Sequence, residues 1–197
     1  MKLLTFGIGA MGFAVAVSTA SAAEFSAEAY EDKVDGKQLA YIEVSGETEI
    51  GDYNRFLDVL PRAIALHQSE ETPVDVWLSG PGGDLDEALE LGKLIFDIGF
   101  ATNVDEDVEC ASACALVWLG GASLYMHKDA EIGFHQAYVD DGESSIAGNA
   151  VVGHYLSEVG LEANIVQFVV SAEPESMLWL TPEVAKSLDL QVEILGE

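Results

Sequence analysis

The sequence predicts an α/β fold, a single domain in which parallel strands are covered by helices. Three observations carry this. Short runs rich in β-branched and aromatic residues alternate along the chain with longer stretches whose apolar residues recur at helical spacing. Alternation of that kind sets successive strands side by side and parallel, because each helix returns the chain to the edge from which it left. The third is length: with residues 1–22 set aside as a leader, 175 residues are enough for one hydrophobic core, and none of them reads as a linker or repeat.

The leader is read from its three parts. Lys2 gives a positive start, Leu3 to Val17 an apolar stretch, and Ala20-Ser21-Ala22 a small-x-small cleavage site before Ala23. About 15 apolar residues fall short of the ~20 that cross a bilayer, so the segment reads as a signal peptide rather than an anchor. The mature chain is therefore expected in the periplasm or outside the cell. Loss of Lys2 with the leader takes the formal charge from −27 to −28. A field of that sign repels phosphate backbones and anionic lipid, which argues against nucleic acid and membrane surfaces as partners.

The elements follow in order. Residues 23–37 are polar and acidic and are expected to form a flexible lead-in, with the domain proper over 38–197. Leu39 to Val44 reads as a strand closed by Ser45-Gly46, and Tyr53 to His67 as a helix with Pro61 as a blemish. Val74 to Leu78 is a second strand, Gly80-Pro81-Gly82-Gly83 a small-residue loop, and Leu85 to Ile98 a helix with one apolar face. Phe100 to Val104 gives a third strand. After Cys110-Ala111-Ser112-Ala113-Cys114 comes an apolar helix to Leu119, stopped by Gly120-Gly121, then short strands at Ser123 to Met126 and Glu131 to Phe134. Ile146 to Val159, Leu161 to Ser171 and Pro182 to Leu188 are expected helices, and Gln191 to Leu195 a closing strand.

Ser112 sits at the centre of the Cys-Ala-Ser-Ala-Cys motif, and the segment Gly133-Phe134-His135-Gln136 places a histidine 23 residues downstream. A serine hydroxyl is a poor nucleophile near neutral pH and needs an imidazole to take its proton, so the pair points to acyl transfer. The plainer readings are a helix-capping serine and a hydrogen-bonded core histidine. His67, His127 and His154 lack a partnered motif and read as surface or packing residues.

From Val74 to Gln136 the chain resembles the Clp-type serine proteases, within the fold group that also holds the crotonases and the signal-peptide peptidase A type enzymes. Pro81-Gly82-Gly83 is similar to the family's strand-ending loop, Ala111-Ser112-Ala113 to its nucleophile turn, and Tyr125 to Gln136 to the segment around its base. Leu180 to Leu190 is similar to its final helix. The resemblance implies a ClpP/crotonase-like fold of repeated β-β-α units and an exported serine peptidase with Ser112 as nucleophile and His135 as general base. It also implies that the amides of Gly82 or Gly83 and of Ala113 form the oxyanion hole. Peptides or unfolded proteins would be the substrates, and a homo-oligomer is expected. No cofactor is implied, and no unfolding ATPase, which would need cytoplasmic ATP. The match departs from the family at the third triad member: Met177 falls where an aspartate is expected, leaving Glu175 (or Glu173) as the candidate acid. A catalytically inactive peptide-binding or assembly protein of the same fold is the alternative.

Cys110 and Cys114 are the only cysteines, and in an oxidising compartment a disulfide across the serine turn is expected. Zinc held by the two thiolates with His127 or His135 is a rival, but the three-residue spacer is not a zinc signature, so no metal is expected. A phosphate in the Gly80–Gly83 loop is disfavoured by Asp84, Asp86 and Glu87 at the next helix start, and the same acidity argues against an acyl-CoA enzyme.

Overall fold

The computed structural model describes residues 21–32, 36–139 and 141–196. Fifteen elements follow one another: β1 (Glu24–Glu31), β2 (Gln38–Thr48), α1 (Asp52–Leu66), β3 (Asp75–Gly83), α2 (Leu85–Asp97), β4 (Ala101–Val104), β5 (Glu109–Ala111), α3 (Ala113–Trp118), β6 (Ser123–His127), β7 (Glu131–Phe134), α4 (Ile146–Glu158), α5 (Ala163–Val169), β8 (Leu178–Leu180), α6 (Pro182–Ser187) and β9 (Val192–Leu195). Apart from Ser21 and Ala22, the expected leader lies outside the described residues. Among those residues no helix is long and apolar enough to cross a membrane.

The α/β class holds, as a curled mixed sheet with a repeating plan. In each of three successive units a strand runs through two segments and then gives way to a helix: the two halves of β3 before α2, β4 and β5 before α3, β6 and β7 before α4. The first segments join one side of the sheet, with Val76 beside Ile42 and Thr102, and Thr102 in turn beside Leu124. The second segments join the other side in the order β3, β5, β7, with Gly80 beside Cys110 and Cys110 beside Ile132. All of these pairings are parallel.

Three expectations are corrected. The lead-in over residues 23–37 contains β1, which pairs antiparallel along its whole length with β2, from Glu24 beside Ser45 to Glu31 beside Gln38. Its alternation of Phe25, Ala27 and Ala29 with Glu24, Ser26, Glu28 and Tyr30 is a strand pattern, muted because the inward residues are mostly small. The Gly80–Gly83 loop is the continuation of β3 rather than a turn after it. The sheet is also not wholly parallel, since β8 closes against β7 in the antiparallel sense.

The core explains why α3 can hold a fixed position. All six of its residues are buried, and they belong to one core with Ile42, Val76, Leu78, Phe56, Leu91 and Ile95. A helix buried on every side needs partners for its terminal carbonyls. Thr102 Oγ1 donates to the Trp118 carbonyl at 2.6 Å and Tyr155 Oη to the Leu116 carbonyl at 2.9 Å, while Trp118 Nε1 donates to the Tyr125 carbonyl.

Intervening strand residues form the other face of the sheet, where Tyr41 stacks on Trp77 at 4.4 Å between ring centres and Asp75 lies beside Tyr41 in register. Burial pushes the Asp75 carboxyl up to about 6, with His67 pulling the other way. A carboxyl raised in this way keeps its proton longer when folded, so stability falls as pH rises from about 4 to 6 and the deficit persists above that range. Asp75→Asn is therefore expected to stabilise the protein at pH 7.5 by on the order of 2 kcal/mol. Urea denaturation at pH 4 and pH 7.5 checks this: the gain should be present at the higher pH and largely absent at the lower.

Candidate active site

Parallel strands deliver their C-terminal ends to the same side of a sheet, and that is where the residues singled out in the sequence meet. Gly82 and Gly83 end β3, Ser112 follows β5, and His135 follows β7, the three strands being neighbours. The Ser112 amide donates to the Gly133 carbonyl at 2.8 Å, carrying the ladder one residue past β5.

Ser112 occupies a left-handed backbone conformation, φ 55° and ψ −121°, at the start of α3, and its side chain makes no capping hydrogen bond. The capping explanation for this serine is thereby removed. Such a conformation in a residue with a side chain costs on the order of 1–3 kcal/mol and persists only where its surroundings hold it. Two features do so. Cys110 and Cys114 form a disulfide across the turn, with their Cα atoms 5.2 Å apart, and both are buried. Gly82 presses on the turn from the other side: a Cβ on it would stand 2.7 Å from the Ala113 nitrogen and from Ser112 Cβ. With both sulfurs in the bridge, neither can serve as a zinc ligand or as a nucleophile.

A cavity of about 280 Å³ opens at this point, lined by Ser112, Ala113, Gly83 and His135, with Leu85, Leu116, Phe134, Ala137 and Val152 supplying an apolar wall. Gly82 is not among its lining residues and acts from behind the turn. The amide of Ala113 begins α3, where helical geometry leaves it without an intrahelical partner. Asp84 also borders the cavity, its Oδ1 accepting from the Glu87 amide at 3.0 Å as the cap of α2. Among the described residues no Lys or Arg borders the cavity.

The surroundings of His135 differ from the expectation. Its Nδ1 lies 2.8 Å from the main-chain carbonyl of its neighbour Gln136. A carbonyl oxygen only accepts, so Nδ1 is the donor in this contact, and in the neutral tautomer that makes it Nε2 keeps the lone pair. Glu175 makes no hydrogen bond to the imidazole; the two border a second cavity of about 260 Å³ together with Tyr138, Pro174, Ser176 and Met177. The antiparallel register of β7 and β8 ends with Phe134 beside Leu178, and His135 and Met177, the residues just beyond that pair, both border this second cavity. Met177 packs over Gly133, where a Cβ would stand 2.7 Å from its Cγ and Sδ. The other histidines lie away from this cavity: His67 bonds the Ala40 amide and the Thr72 carbonyl, His127 meets the Asp129 amide, and His154 is exposed beside Glu158. The Gln136 carbonyl and the apolar wall were missing from the sequence reading. A main-chain acceptor has no residue signature, and Leu116 and Val152 read as ordinary helix residues.

No family profile matches the chain, and no curated protein is detectably similar to it in sequence. Solved structures are similar to it in fold. A mutant form of the 1510-N membrane-bound stomatin-specific protease superposes with a TM-score of 0.58 at 18% identity, covering 77% of this chain and 76% of that one. The ClpP protease catalytic domain from Plasmodium falciparum gives 0.55 at 14% identity, covering 80% and 84%. A structure titled only as an enzyme gives 0.57 at 12% identity, covering 80% and 95%. The fold is therefore ClpP-like.

The crosslink predicts a measurable stability. Replacing both Cys110 and Cys114 by Ala should lower unfolding free energy by about 2 kcal/mol, the loop-closure value for so short a ring. Urea denaturation of the double variant measures it, and alkylation of unreduced protein under denaturing conditions should find no free thiol.

Proposed function

We propose that this protein is an exported serine hydrolase acting on peptides or unfolded protein, with Ser112 as nucleophile and His135 as general base. The observation that supports this best is the shared cavity, in which a serine held in a left-handed turn, the first amide of a buried helix, a glycine strand end and an imidazole with a free Nε2 all converge. In this reading Ser112 Oγ attacks a peptide carbonyl carbon as its proton passes to His135 Nε2. The carbonyl oxygen takes the negative charge and is met by the amides of Gly83 and Ala113, with Gly82 keeping the turn in place. Collapse breaks the C–N bond, and the departing amine takes the proton from His135. Water, deprotonated by the same nitrogen, then releases the acyl group from Ser112.

Glu175 enters as a negative charge near the imidazole that favours the imidazolium formed during attack. The apolar wall of the cavity suits an aliphatic or aromatic side chain, and its described lining, with Asp84 and no Lys or Arg, disfavours the phosphates of an acyl-CoA. The disulfide supports an oxidising compartment, in keeping with export to the periplasm or beyond. Self-association is proposed on the resemblance to the Clp-type proteases. The second reading, a peptide-binding protein without catalysis, draws on the lack, among the described residues, of an acid hydrogen-bonded to His135.

A fluorophosphonate probe separates the two. Labelling of the wild type is expected at Ser112, with Ser112→Ala and His135→Ala each reducing the rate by on the order of 10³ or more. A folded wild type that takes up no probe would establish the binding protein instead.

A further inference from the structure

The orienting task that a triad acid performs falls here on a peptide unit. The Gln136 carbonyl that receives His135 Nδ1 shares a planar peptide group with the Ala137 amide, so whatever fixes that amide also fixes the carbonyl. The Ala137 amide donates to Asn149 Oδ1 at 2.8 Å. Asn149 stands in the first turn of α4, which Ser145 caps by accepting from the Gly148 amide at 3.0 Å. Gly148 lets that turn come close, since a Cβ on it would stand 2.7 Å from Ala137 Cβ.

Other bonds hold the same short segment. The Gln136 amide donates to the Ala172 carbonyl at 2.9 Å and the Ser145 amide to the Ala137 carbonyl at 2.7 Å. Asn149 Nδ2 donates to Ser144 Oγ at 3.2 Å, and Ser144 Oγ donates to Gln136 Oε1 at 2.6 Å. The amide of Asn149 is thus used at both ends, by the backbone of Ala137 and, through Ser144, by the side chain of Gln136.

We propose that Asn149 is a positioning residue for His135, acting through the 136–137 peptide, and that this peptide takes the orienting place of a triad acid. The arrangement keeps the imidazole in its Nδ1-protonated tautomer, with Nε2 unprotonated in the ring that shares the cavity with Ser112. A wrong tautomer is severe: in the serine-protease triad it costs on the order of 10⁴ in rate. An outer partner of a working histidine matters less, typically 10- to 100-fold. The inference rests on the hydrolase reading only for its effect on rate; the tautomer stands apart from it.

The test is made on the full chain with ¹⁵N-labelled histidine. Long-range ¹H–¹⁵N spectra of the neutral wild type should show His135 as the Nδ1–H form. Asn149→Leu should give a mixture of tautomers and slow fluorophosphonate labelling by roughly 10- to 100-fold. Asn149→Asp, which still accepts from the Ala137 amide, should restore the tautomer and bring labelling to within about fivefold of wild type. Ser144→Ala, a milder change, should slow labelling about threefold, and Glu175→Gln should leave the tautomer unchanged. An unaltered tautomer in folded Asn149→Leu overturns the proposal, as does its loss in Glu175→Gln. If the wild type fails to label while the tautomer still follows residue 149, the hydrolase reading falls and the positioning role stands.

Discussion

The parallel register of β3, β5 and β7 is the constraint on which the rest depends. It lines up three chain ends that lie far apart in sequence, so that a glycine pair, a serine and a histidine emerge at one edge without any of them having to reach. Because side chains alternate along a strand, a slip of one residue in β5 would turn Cys110 outward and send Ser112 away from the cavity. The buried helix α3 fixes that register from above, and the Thr102 and Tyr155 hydroxyls fix α3 in turn.

Around Ser112 the local cost and the local restraints are matched. A left-handed residue with a side chain relaxes if it can, and here the disulfide on one side and the close approach of Gly82 on the other leave it no room to do so. The strain is thereby held where an acyl-transfer reading would want it, with the hydroxyl freed from capping and the first amide of α3 facing the same space.

The sequence made much of this legible. Ser112 and His135 stand in motifs whose residue types answer a chemical need, and the strong apolar periods of α2 and of the strands gave the alternation that defines the fold. What escaped had physical reasons. The three-residue strands β5 and β8 are too short for any period, and β1 hid behind Ala27 and Ala29, whose burial adds little hydrophobic signal between glutamates. The partner of His135 escaped for a different reason: it is a backbone carbonyl, and the next amide in the same peptide is bonded by Asn149, twelve residues along the chain from Ala137. Met177 stands where the family pattern leads one to expect an acid, and a thioether cannot hold an imidazole by hydrogen bonding; the group that meets His135 Nδ1 is the main-chain carbonyl of Gln136, which no side chain in the sequence marks.

The bridge between Cys110 and Cys114 has an implication for the unfolded chain. It closes a ring of five residues with Ser112 in the middle, and covalent bonds do not melt. Under denaturing conditions that leave sulfur oxidised, the strands separate and the cavity is lost, yet the chain around the serine stays bent and its conformational entropy stays low. The turn that holds Ser112 is thus the one part of this site whose shape is partly written in covalent structure, while every other part has to be regained each time the domain folds.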